Sequence, residues 1–100
     1  MVKHIVVLKL KESVGGKPKS ENARMLWREF EGMKDKIKEI RALDVGINFN
    51  PAADAYDLAL VAEFADRKDL DTYQNHPEHQ RIVAIMKQHR EARIVVDYET

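Results

Sequence analysis

Two strand-like stretches of this sequence are apolar on both faces, and a chain this short cannot cover both faces of a sheet with its own residues. In Lys3-His4-Ile5-Val6-Val7-Leu8-Lys9-Leu10, a period of two puts His4, Val6, Leu8 and Leu10 on one side and Ile5 and Val7 on the other. Leu58 to Phe64 is likewise apolar on both parities, with Ala59 and Val61 on the second face. A sheet with one wet face alternates apolar and polar residues, which these strands do not. The chain has 100 residues, enough for one domain spanning residues 1–100 that hides about two-thirds of its unfolded surface. A second copy stacked sheet on sheet is the economical cover, and scattered surface valines are the bland alternative.

The remaining segments supply the other elements. Ser13 to Lys19, with Gly15, Gly16 and Pro18, reads as a loop, and Ser20 is placed as a helix N-cap with Glu21 in the first turn. Leu26, Phe30, Met33, Ile37 and Ile40 form a helical stripe, which Gly32 is expected to weaken by about 1 kcal/mol without ending it. From Leu43 to Phe49 the period returns to two, and Asn50-Pro51-Ala52-Ala53-Asp54 turns the chain into Leu58 to Phe64 as an antiparallel hairpin. Asp66 caps a short helix carrying Leu70 and Tyr73, and Pro77 opens another that buries Ile82, Val83, Ile85 and Met86. Arg93 to Tyr98 closes the set as a fourth strand. The order βαββαβ is the ferredoxin-like α+β arrangement, in which right-handed crossovers put all helices on one face of a four-stranded antiparallel sheet. Stacking two such sheets gives a dimeric α+β barrel.

Composition narrows the function classes. Lysine plus arginine equals aspartate plus glutamate at 17 each, so no net field draws the chain to nucleic acid or to an anionic membrane. No segment approaches the roughly 20 apolar residues of a membrane span, and the first strand lacks a cleavage site, so a soluble cytoplasmic protein is expected. With no cysteine, thiolate metal sites and cysteine nucleophiles are excluded. Phosphate-binding glycine loops and nucleophile elbows are absent, so no cofactor is expected. His76, Glu78 and His79 lack the i, i+4 spacing of a helical metal pair, so no metal is expected either.

The residues left for chemistry are His79, Tyr73 and His4. If the last helix starts near Pro77, then Val83 at i+4 and Met86 at i+7 share the inward stripe of His79. His4 shares a strand face with Val6, Leu8 and Leu10, so both imidazoles can meet between sheet and helices, with Tyr73 beside them. An imidazole titrating near pH 6.5 and a phenol make an acid/base pair for a carbonyl compound. Each has a structural alternative: buried histidines usually hydrogen-bond a backbone group, and His76 reads as a helix cap. His89, between Lys87 and Arg90, reads as a solvated residue, and Trp27 and Met25 as packing.

Three stretches carry a family resemblance: the opening Val2 to Lys11 with its histidine, the run Tyr73-Gln74-Asn75-His76-Pro77-Glu78-His79, and the closing Val95-Val96-Asp97-Tyr98. Together they resemble the stress-responsive dimeric α+β barrel (Dabb) family over essentially the whole chain. The resemblance implies a ferredoxin-like fold and a homodimer whose facing sheets form a barrel. The family includes plant stress-induced proteins, bacterial members without an assigned activity, and a plant polyketide cyclase with active-site residues at the positions of His4, Tyr73 and His79. This chain has Leu58 where the cyclase has a further histidine, and no tyrosine in its first helix. The leading reading is therefore a homodimer of unassigned activity with a small-molecule pocket. A cofactor-free lyase or cyclase is the alternative, and a monooxygenase on the same barrel is a third, favoured by a cavity large enough for a flat aromatic.

Overall fold

The computed structural model describes residues 1–100. Strand β1 (Val2–Leu10) is followed by a two-residue hairpin, β2 (Ser13–Val14) and β3 (Lys17–Pro18), and by helix α1 (Lys19–Gly32). A 3-10 turn at Met33–Asp35 leads to β4 (Ala42–Ile47) and β5 (Leu58–Phe64). Helices α2 (Arg67–Asn75) and α3 (Pro77–His89) then precede the last strand, β6 (Arg90–Glu99). The main sheet has the order β4-β5-β1-β6, with every neighbouring pair antiparallel. This is the ferredoxin-like arrangement expected from the order of elements. No helix is long and apolar enough to cross a membrane.

Register decides what each face carries. In β1 the residues Val2, His4, Val6, Leu8 and Leu10 are buried, and the alternate residues are only half-buried. Leu58, Leu60, Ala62 and Phe64 of β5 lie on the same side and meet Leu26 and Phe30 of α1, Met33, Ile37 and Ile40 beyond it, and Ile82 and Met86 of α3. Each fully buried Leu or Ile contributes about 1.5–3 kcal/mol by removal from water. This one-sided core is what keeps the helices on one face.

The other face has no cover. Ile5 pairs with Val61 and Val96, and Val7 with Ala59 and Ile94, so these six side chains form one block across three strands. Ile94 and Val96 remain 49% and 50% exposed. Ion pairs close the block at both ends, Lys3 with Glu63 and Lys9 with Glu91.

Local boundaries differ from the sequence reading in four places. Helix α1 ends at Gly32, and the stripe runs on through the 3-10 turn, so Met33 and Ile37 are buried without a continuous α-helix. A residue without a side chain is a poor place to propagate a helix, and tightening the last turn satisfies its carbonyls. Ser20 lies inside α1; Pro18 precedes the helix without a side-chain cap, because the hairpin through Gly15 and Gly16, both at positive φ, hands the chain straight to Lys19. Strand β4 stops at Ile47, whose partner Leu58 is the first residue of β5, so the alternation through Phe49 finds no ladder and Phe49 is 98% exposed. The last strand begins at Arg90, earlier than expected.

Candidate functional site

The site is built where β1, β6 and the α2–α3 junction meet. His4 sits between Ala62 of β5 and Asp97 of β6, and its side chain is buried, with 2% exposed. The helix-side parity of β1 carries the ring inward, and the cross-strand register places the Asp97 carboxylate beside it. His4 Nδ1 donates to Asp97 Oδ1 at 2.5 Å. A carboxylate can only accept, so it fixes the proton on Nδ1 and leaves Nε2 on the opposite edge of the ring.

The junction delivers the other two rings. Asp66 caps α2 by accepting from the Asp69 N–H at 2.8 Å, and Tyr73 occupies the last turn of that helix. His76 leaves helical geometry, its Nδ1 accepting from the Glu78 N–H at 3.0 Å, and Pro77 starts α3 with no amide hydrogen to satisfy. This short break aims Tyr73 and His79 at each other, with ring centroids 4.3 Å apart and planes tilted by 46°. Tyr73 lies edge-on to His4 at 5.9 Å and packs on Phe64 at 4.9 Å. The structure thus brings together the three residues named from the sequence, on the helix side of the sheet.

Their environment sets their protonation. Burial pushes the His79 imidazole below its ordinary value of 6.5, against the raising effect of its Nδ1 hydrogen bond to the Gln74 carbonyl at 3.1 Å. Electrostatic repulsion from the neighbouring His4, Arg93 and His76 acts in the same direction as burial. Burial holds the Tyr73 phenol well above its usual range, and Arg93 opposes this in part. At neutral pH the site therefore offers a neutral imidazole as proton acceptor beside a phenol that keeps its proton. That pairing suits proton transfer next to a carbonyl group.

The rings line a cavity of about 30 Å³, walled otherwise by Val6, Leu8, Phe30, Leu58, Leu60, Ile82, Val83, Met86 and Arg93. This is room for a water or one small group. His79, Val83, Met86 and Arg93 also line an outer groove of about 270 Å³, shared with Gln74, Gln80, Lys87 and Arg90. The cavity and the groove have His79, Val83, Met86 and Arg93 in common in their linings.

Sequence reasoning missed Asp97 and Arg93. Asp97 is the one acid in the apolar run Val95 to Tyr98, and pairing the first and last strands antiparallel would have set it opposite His4. Arg93 pairs with Leu8, which puts it on the helix side by the same logic. His76 is the cap it was read as. His89 is half-buried, and its Nδ1 donates to the Ile85 carbonyl at 2.9 Å, a contact within its own helix. Trp27 is 38% exposed, outside the core packing expected of it, and its indole N–H donates to the Val45 carbonyl at 2.9 Å.

Known proteins of this shape fit the same frame. The sequence profile of the stress responsive A/B barrel domain matches residues 2–100. An uncharacterized protein of Streptomyces coelicolor is 29% identical over 101 residues, covering 99% of each chain. Among solved structures, a dimeric protein of unknown function and ferredoxin-like fold from Bacteroides fragilis is 36% identical with a TM-score of 0.85, over 99% of this chain and 95% of that one. A hydroxynitrile lyase from Passiflora edulis shares the fold at 17% identity, with a TM-score of 0.82 over 97% of this chain and 90% of its own. By its match over residues 2–100, this chain belongs to the stress responsive A/B barrel domain family.

Proposed function

We propose that the protein works as a homodimer, joined through the open sheet face, that binds a small carbonyl-containing molecule at His4, Tyr73 and His79. The observation that carries the pocket is the buried His4 imidazole held by Asp97 and continued by the Tyr73 and His79 rings around one cavity. A purely structural core has little use for this much polarity, since each buried polar group must be matched by a partner. The dimer is supported by the uncovered block of Ile5, Val7, Ala59, Val61, Ile94 and Val96, and by the dimeric state of the Bacteroides fragilis relative. Its cysteine-free composition fits a cytoplasmic setting.

A second reading is favoured by the depressed basicity of His79. In a cofactor-free lyase or cyclase, His79 Nε2 would take the proton from the carbon next to a carbonyl while the Tyr73 hydroxyl donates to the carbonyl oxygen, giving an enol that adds to a second carbonyl or expels a leaving group. Leu58, buried in the cavity wall, supplies no further polar group. A monooxygenase reading asks for more rearrangement than the others, because a flat aromatic is wider than a short aliphatic tail and the cavity is about 30 Å³.

The test is titration with hexanal followed by NMR of the histidine rings and by sedimentation. Shifts at His4 and His79 that vanish in Tyr73→Phe, in a protein that sediments as a dimer, are the expected result. A monomer, or shifts confined to surface residues, would remove the reading.

A further inference from the structure

We infer that the ligand of this pocket carries a carboxylate, held by Arg93 in the outer groove with Lys87 and Arg90 around it, while its apolar end faces the gate formed by His79, Val83 and Met86. The inference rests on the pocket reading above and names the ligand class for that same site. The chain as a whole is balanced, at 17 basic and 17 acidic residues, so an unpaired cluster of one sign is a local feature that composition does not require. Ion pairs engage Lys3, Lys9, Lys19, Lys36, Arg67 and Arg81. Lys87, Arg90 and Arg93 are among the basic residues that no ion pair engages, and what distinguishes them is that all three line the groove that shares His79, Val83, Met86 and Arg93 with the cavity.

Arg93 is exposed, and its position in the sheet is what ties it to the pocket. It pairs with Leu8 in the sheet register, so its side chain leaves the strand on the helix side, and it lines both the inner cavity and the outer groove. Its charge is felt within the site, since it acts on both the Tyr73 phenol and the His79 imidazole. A guanidinium in that place offers paired N–H donors to a carboxylate, and Val83 and Met86 give the otherwise polar groove an apolar side. Lys87, in the last turn of α3, and Arg90, just beyond it, add positive charge to the rim. The divider is adaptable on its apolar side: Met86 is unbranched and flexible, so a short apolar tail can enter by shifting it. No carboxylate side chain lines either the cavity or the groove, so nothing there competes with an anionic ligand.

The experiment uses matched six-carbon probes on the dimeric wild-type protein: hexanoate, 1-hexanol and hexylammonium, titrated by calorimetry at low salt with NMR to locate binding. Hexanoate is expected to bind at least tenfold more tightly than 1-hexanol, a difference of about 1.4 kcal/mol, with ring shifts at His79 and with affinity falling as salt rises. Hexylammonium is expected not to bind. Arg93→Gln is expected to erase the preference and Arg93→Lys to restore part of it, with thermal unfolding checking that both variants fold. Equal affinity for hexanoate and 1-hexanol overturns the carboxylate assignment and leaves the pocket standing. A preference that survives Arg93→Gln, or hexanoate shifts away from the groove, overturns the assignment to this site. If no six-carbon probe, neutral or charged, binds at His79, the pocket reading falls with it.

Discussion

His4 and Asp97, 93 residues apart in the chain, are joined by a hydrogen bond between the imidazole Nδ1 and a carboxylate oxygen across the β1–β6 ladder. The contact ties a buried residue of a central strand to an edge strand that is otherwise held mainly by its backbone, since most β6 side chains are exposed. It also fixes which His4 nitrogen is protonated. Removing the carboxylate leaves a buried N–H without its acceptor, which costs about 1–3 kcal/mol. Asp97→Ala is therefore expected to lower the stability measured by urea unfolding by about that amount. Asp97→Asn, which keeps an acceptor oxygen, is expected to lose less. An Asp97→Ala protein as stable as the parent would show that the contact contributes nothing.

The lowered basicity of His79 predicts a pH dependence with a definite sign. In the folded chain burial resists protonation, while in the unfolded chain the ring takes up a proton near its ordinary value of 6.5. Above that pH both states are neutral at this residue and it contributes no slope. As the pH falls below it, the unfolded state binds more protons and stability is lost. His79→Gln is expected to flatten the unfolding midpoint against pH below 6.5 relative to the parent. At pH 8 the cost is expected to be about 1 kcal/mol or less, because the Gln74 carbonyl keeps its hydrogen bond from Gln80 at 2.6 Å. Identical pH profiles for the two proteins would contradict the burial of this ring.

The fold was legible because period-two and helical patterns are local. The strand Leu58–Phe64, the Asp66 and Pro77 helix starts and the shared face of His4, Val6 and Leu8 all follow from spacing alone. Strand and helix ends were not, since they depend on partners. Phe49 continues the alternation of β4 in sequence, but no β5 residue stands opposite it. For the site, parity placed His4, and helix spacing placed His79 with Val83 and Met86. Asp97 and Arg93 needed the register between the two ends of the chain, which no local pattern carries.

Across the helix face, Glu78 takes hydrogen bonds from Arg81 and Lys36, and Arg81 also reaches Glu29 of α1. The Arg81 hydrogen bond holds the Glu78 carboxyl down to about 2 against its desolvation, and the Lys36 contact adds to that lowering. A carboxyl depressed in the folded state supports folding above its ordinary value of 4.5, and that support is lost as the pH falls toward about 2. The acid-induced fall in unfolding temperature between pH 4.5 and 2 is expected to be shallower in Glu78→Gln. An unchanged slope would mean that the network does not persist in solution.

Val7 and Leu8 are adjacent in β1 and face opposite ways, so one substitution at each separates dimer assembly from folding. Leu8 is wholly buried against the helices, and Leu8→Ala is expected to cost about 2–5 kcal/mol through the cavity it leaves. Below its lowered unfolding midpoint, the variant is expected to keep the dimer. Val7 lies on the uncovered block with Ala59 and Ile94 as its cross-strand neighbours. In a sheet-to-sheet dimer Val7→Glu buries a carboxylate in each copy between Ala59 and Ile94, while Lys9 on the same face is already paired with Glu91, a cost of several kcal/mol per ion. The dimer is expected to dissociate before the sheet unfolds, because the same glutamate is solvated in a monomer. Sedimentation at micromolar concentration then gives a dimer for Leu8→Ala and a monomer for Val7→Glu, with helical circular dichroism retained in both. A Val7→Glu protein that remains dimeric would place the interface on another surface and leave the apolar block unexplained.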